Sequence, residues 1–160
     1  QNNEEDIEIQ FIGDGALKPK LIKRAEVENI KNCKFKDPMP KDDLFIYLQR
    51  EASVGLMILD DIPAFYYGTS PNKFFDYISL GLPVLNNYPG WLAEMITDNN
   101  CGLSIKPGDP EAFSEALIKM KNDRKSLARM GQNAKQLAAS NFDRNKLSDQ
   151  FVDFLVANIN

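Results

Sequence analysis

The residues best suited to chemistry lie together, as Gly68-Thr69-Ser70-Pro71-Asn72-Lys73, with Asp76 close behind. The pattern predicts that Ser70 caps a helix and that Pro71 takes its first position. Asn72 and Lys73 then fall in the first turn. Unpaired first-turn N–H groups, the positive end of a helix and a lysine ammonium together make an anion site. Gly68 and Thr69 let the preceding backbone approach a ligand closely. Asp76 follows Lys73 by one helical turn, where a carboxylate accepts hydrogen bonds from a sugar diol. The plainer alternative is a capped helix with a solvated Lys73 that pairs with Asp76, an i, i+3 contact of about 0.2–0.5 kcal/mol. Phe74, Phe75 and Ile78 read as core.

What the chain lacks narrows the chemistry. It has no histidine, which removes Ser-His and Cys-His nucleophile pairs and His-based zinc sites. Its two cysteines, Cys33 and Cys101, cannot build a disulfide framework or a zinc site and read as buried, reduced thiols. Reduced thiols suit a cytoplasmic compartment. With 19 Lys plus Arg against 23 Asp plus Glu, the net charge of −4 argues against a general nucleic-acid binder. No apolar run approaches the roughly 18 residues of a membrane span.

The elements that must position these residues alternate between strand and helix. Strands are expected at Ile7–Ile12, Cys33–Phe35, Val54–Leu59, Pro83–Asn87 and Gly102–Ile105. Between them, helices are expected at 17–29, Asp42–Glu51, Asn72–Leu80 and Trp91–Thr97. Three more follow Asp109, read as a capping residue, Asp123 and Asp143. In the last of them Leu147, Phe151, Phe154 and Leu155 share a face and are expected to point inward. The alternation predicts an α/β fold, an open parallel sheet of about five strands in a three-layer, Rossmann-like arrangement with helices on both faces. Ligands in such sheets bind beyond the carboxyl ends of the strands. That places candidate contacts in the loops at 13–16, with Gly13 and Asp14, at 36–40, with Lys36, at 86–91, at 106–109, and at 60–72, which is too long for an ordinary βα connection of about 2–6 residues. The polar opening Gln1 to Asp6, without an initiator Met, reads as a cut within a longer protein. The expectation is a single domain over residues 1–160, excised from a two-domain chain.

Ser70-Pro71-Asn72-Lys73-Phe74-Phe75-Asp76-Tyr77 followed by Ser79-Leu80-Gly81-Leu82-Pro83-Val84 resembles the signature of glycosyltransferase family 4. The order around it also agrees, with Phe11-Ile12-Gly13-Asp14-Gly15 before, and Gly90-Trp91-Leu92-Ala93-Glu94, Asn100-Cys101-Gly102-Leu103, Pro107-Gly108-Asp109-Pro110-Glu111-Ala112 and Met130-Gly131 after. The resemblance implies the C-terminal, donor-binding half of a GT-B architecture. It also implies a retaining, metal-independent transfer of sugar from a nucleotide donor, a UDP-sugar favoured, with no separate cofactor. Such enzymes build surface or capsular polysaccharides or lipid-linked glycans. The missing acceptor-binding half would be a partner and could touch the inner membrane face. By the same resemblance Asp76 would take the ribose hydroxyls and Lys73, the one catalytic candidate, the donor pyrophosphate. The family's first motif acid is replaced here by Gly68, as in the branch with the Ser-Pro-x-Lys form.

Three rivals share the pattern. A phosphoacceptor receiver domain is imitated by Asp14, Asp60 and Lys106, though only one acid follows the first strand. A sugar-nucleotide 2-epimerase would lean on histidine, which is absent. A degenerate binding module without activity is suggested by Gly68.

Overall fold

The alternation of apolar and polar residues resolves into the elements expected. The computed structural model describes residues 6–159, so the polar opening through Glu5 lies outside the described residues. The chain divides into two compact units at the Glu51–Ala52 junction.

In the first unit, β1 (Ile9–Ile12) pairs in parallel with β2 (Cys33–Lys36), Phe11 opposite Phe35. Their rings stack with centroids 5.1 Å apart. The strands are joined by α1 (Lys18–Val27), and α2 (Lys41–Glu51) follows, with the Tyr47 hydroxyl donating to the Gln10 side-chain carbonyl. No side chain of α1 or α2 is fully buried, and Phe11 keeps 45% of its surface. Cys33 is half-buried rather than buried, because a two-stranded sheet cannot enclose it.

In the second unit, β3 (Gly55–Met57), β4 (Val84–Asn86) and β5 (Gly102–Ser104) form a parallel sheet with β4 in the centre. The connections are α3 (Asn72–Ser79) and α4 (Trp91–Asp98), and α5 (Pro110–Asn122), α6 (Arg124–Asn141) and α7 (Arg144–Ala157) follow. Alternation along β4 divides the core. Val84 joins Met57, Phe74, Ile78, Leu92, Ile96 and Leu137 on one face, while Leu85 joins Ala116 and Met120 on the other. Helices therefore cover both faces of this sheet, and its central strand is wholly buried. Where α3 ends, α6 comes so close that a side chain on Gly131 would stand 2.6 Å from the Gly81 carbonyl oxygen. Only glycine permits that approach.

Helix ends follow local rules. Asp109, Asp123 and Asp143 accept from the N–H groups of Ala112, Ser126 and Lys146 at 2.8, 2.8 and 2.9 Å. Each such cap is worth about 1 kcal/mol. α1, α3 and α4 end with Asn29, Gly81 and Asn100 at positive φ. In each, the next N–H reaches back to a carbonyl five residues earlier, Ile30 to Ala25, Leu82 to Tyr77 and Cys101 to Ile96.

Two expectations about the helices are also corrected. Ser70 does not cap α3. Pro71 itself is the N-cap residue, with φ −72° and ψ 120°, and no side chain caps the turn. Its extended ψ leaves Pro71 just outside the helix, so the first helical position falls on Asn72. The second correction concerns α7, whose Leu147, Phe151, Phe154 and Leu155 are 46, 62, 63 and 43% exposed rather than inward. The periodicity was that of an amphipathic helix, but its own unit presents no surface that covers it. Among the described residues no helix is long and apolar enough to cross a membrane.

Candidate functional site

The first turn of α3 is built by what precedes it. After β3 the chain leaves the ladder, makes a single 3-10 turn at Pro63–Phe65 and runs exposed through Tyr67 and Gly68. Thr69 donates its N–H back to the Phe65 carbonyl at 3.1 Å, which turns the backbone into Ser70 and Pro71. The N-terminal N–H groups of α3 thus have no side-chain acceptor. Lys73 is half-buried beside them, and burial alone pushes its ammonium below the usual lysine range. A desolvated cation favours an arriving anion, because the anion restores the lost interaction. Asp76 is half-buried one turn on. Burial, and then the Asp76 charge, push the neighbouring Tyr77 phenol up.

Gly68, Thr69, Ser70, Pro71, Asn72, Lys73 and Asp76 are thus brought into one stretch within the second unit. Gly13, Asp14 and Lys36 lie in the first unit, at the carboxyl ends of β1 and β2. There the Gly13 N–H donates to the Lys36 carbonyl at 3.2 Å, Asp14 is exposed, and the Lys36 ammonium stands 5.0 Å from the Tyr47 ring centroid.

Sequence reasoning missed Lys18 in that first-unit group. Its ammonium donates to the Gly13 carbonyl at 3.0 Å, the Lys36 carbonyl at 2.9 Å and the Asp37 carboxylate at 2.9 Å. The Lys18 bond, and then its charge, hold the Asp37 carboxyl below the usual range. The signal available was a lysine five residues after Gly13, which spacing alone did not distinguish from a solvated one.

Elsewhere in the second unit a groove of about 520 Å³ opens between Leu80–Pro83 and the face of α6 bearing Arg124, Gly131 and Lys135. It lies by the residues that precede β3 and β4, away from the carboxyl ends. Burial pushes the Cys101 thiol up to about 11, which leaves it an unreactive core residue. Among the described residues no group of three or more His, Cys, Asp or Glu is placed to hold a metal ion.

Solved structures that share this fold include two chains longer than this one. The crystal structure of Anabaena Alr3699/HepE in complex with UDP is 14% identical and superposes with a TM-score of 0.73 over 95% of this chain and 41% of that one. The crystal structure of TarM is 13% identical, with a TM-score of 0.71 over 94% of this chain and 29% of that one. The chain therefore spans less than half the length of either. It matches no curated protein sequence. The sequence pattern of the family "Glycosyl transferases group 1" matches residues 1–137, which hold all the strands of both sheets and the helices between them. The chain belongs to the glycosyl transferases of group 1.

Proposed function

We propose that this chain is the donor-binding part of a retaining, metal-independent glycosyltransferase whose donor is a UDP-sugar. In this reading the products are surface polysaccharides or lipid-linked glycans made on the cytoplasmic side. An acceptor-binding half completes the cleft and makes any peripheral membrane contact. The observation that carries it is the first turn of α3, with uncapped N–H groups beside a desolvated Lys73 and a carboxylate one turn further on. The UDP bound to the similar HepE structure supports the choice of nucleotide.

Each residue then has a role. The Asn72 and Lys73 N–H groups and the Lys73 ammonium hold the pyrophosphate. As the bond from the anomeric carbon to the β-phosphate oxygen breaks, they stabilise the charge left on the diphosphate. The acceptor hydroxyl oxygen bonds to the anomeric carbon on the face the diphosphate leaves, and its proton passes to the departing diphosphate oxygen. Asp76 accepts from the ribose hydroxyls. Gly68, Thr69, Ser70 and Pro71 bring backbone close to the phosphates and the sugar. Gly13, Asp14 and Lys36 are candidate ligand contacts of the first unit, taken by itself.

The test is calorimetric titration of UDP and uridine into the parent chain and Lys73→Ala. UDP affinity should fall about tenfold, the loss of one charge-assisted contact of about 1.4 kcal/mol, while uridine is unaffected. The UDP loss should shrink with added salt. Equal loss for both ligands would show that Lys73 does not read phosphate.

A further inference from the structure

The loop from Leu59 to Thr69 has little to hold it on its own. Its internal backbone bonds are all short-range, such as Ile62 N–H to the Asp60 carbonyl at 3.0 Å and Phe65 N–H to the Ile62 carbonyl at 2.9 Å. From Asp60 through Gly68 every residue but Tyr66 is exposed. Yet this loop delivers the backbone to the uncapped turn of α3.

Its backbone is tied to the rest of the unit from one short segment after β4, and the Tyr67 hydroxyl adds a side-chain bond to Glu94 of α4 at 3.0 Å. The Asn87 carboxamide accepts from the Leu59 N–H at 2.9 Å and donates to the Leu59 carbonyl at 2.9 Å. A side chain thus continues the ladder where β3 has ended. The Tyr88 hydroxyl donates to the Phe65 carbonyl. The Trp91 indole N–H donates to the Thr69 carbonyl at 3.0 Å. These attachments fall at the start, middle and end of the loop.

The anchors are themselves fixed. Asn87 is 8% exposed and Tyr88 2%. The Trp91 ring stacks against Phe75 of α3 at 6.4 Å between centroids. Gly90, at φ 100°, passes so close to the Tyr66 backbone that any side chain there would collide with it. Hydrogen bonds from a buried, packed scaffold to an exposed loop backbone preorganise it, so that a ligand need not order it on binding.

We propose that Asn87, Tyr88 and Trp91 are positioning residues. By clamping Leu59, Phe65 and Thr69 they hold the loop in the shape that presents the first turn of α3 to phosphate. The inference rests on the reading of that turn as the diphosphate site. None of the three touches the donor in this account. Releasing the Thr69 carbonyl loosens the backbone just ahead of Asn72 and Lys73. It leaves Asp76 in place, because α3 itself is packed through the buried Phe74 and Ile78.

The experiment uses Trp91→Phe in the full chain, which deletes one donor and keeps a ring against Phe75. Hydrogen exchange of the loop amides between Asp60 and Ser70 should accelerate about fivefold or more, with the amides of β3, β4 and β5 unchanged. UDP affinity should fall about 3- to 10-fold and uridine affinity less than about twofold, the range expected for one lost hydrogen bond. Tyr88→Phe asks the same question at the middle anchor should Trp91→Phe fail to fold. Unchanged exchange in the loop while the parent still binds UDP would overturn the clamp and leave the donor reading standing. Equal loss of UDP and uridine would reduce Trp91 to a packing role and overturn it too. A parent chain that binds no UDP would sink the donor reading and with it the purpose assigned to the clamp.

Discussion

Lys18 and Lys73 each stand in a stretch that follows a strand of a parallel sheet, and their surroundings are opposite. Lys18 is engaged by two carbonyls and the Asp37 carboxylate, all within 3.0 Å. Its charge is spent on closing the carboxyl end of a two-stranded sheet that buries little else. Lys73 sits in a unit with a dense core, and burial pushes its ammonium below the usual lysine range. The contrast teaches that a basic residue near a strand end is a binding candidate only when the fold has not already used it. A sheet that cannot stabilise itself by burial draws on its polar groups, and one with a full core leaves them for a ligand.

The contrast in burial carries the largest expected effect. Phe74→Ala removes a fully buried ring from the second unit and should cost about 3–5 kcal/mol in denaturant unfolding. Phe11→Ala, at a ring nearly half exposed, should cost about 1 kcal/mol. Similar costs at the two positions would dissolve the distinction between the units.

Lys18→Met comes next. It should destabilise the chain by about 1–2 kcal/mol through the abandoned carbonyls, with the ratio of UDP to uridine affinity unchanged. A change in that ratio would make Lys18 a phosphate ligand rather than a brace. Asp76→Asn should do the reverse, weakening UDP and uridine alike by about tenfold, since both carry the ribose, while the unfolding midpoint stays put. A midpoint that moved while affinity held would return Asp76 to a structural role.

The smallest effect is one of pH. Lys18 lowers the folded-state pKa of Asp37 below its ordinary 3.8. The resulting stabilisation is present above that ordinary value and lost as pH falls through the lowered one. Asp37→Asn should therefore flatten the acid limb of the stability curve below about pH 4, read by urea unfolding across pH. A limb of unchanged slope would mean that this exposed pair contributes nothing measurable.

Much of the fold was legible because its signals are local. Asp109, Asp123 and Asp143 announce their helices through a bond to an N–H three residues on. Gly81 marks the end of α3 through a conformation that few other residues adopt. The six apolar residues from Val54 to Leu59 marked a strand covered on both faces, although only Gly55–Met57 stays in the ladder. The motif from Ser70 to Val84 was legible as a family signature because its residues are consecutive.

The amino-acid sequence by itself determined the strand and helix alternation, the helix ends, the family and the stretch from Gly68 to Asp76. Only the tertiary structure decided that Lys18 is consumed, that Pro71 rather than Ser70 opens α3, that the α7 face stays uncovered and that Asn87, Tyr88 and Trp91 clamp the loop. The reason is range. Caps and turns are settled within about five residues by sterics and a single hydrogen bond. Lys18 meets Asp37 across 19 positions and Asn87 meets Leu59 across 28, and those meetings exist only once parallel strands have brought distant residues side by side.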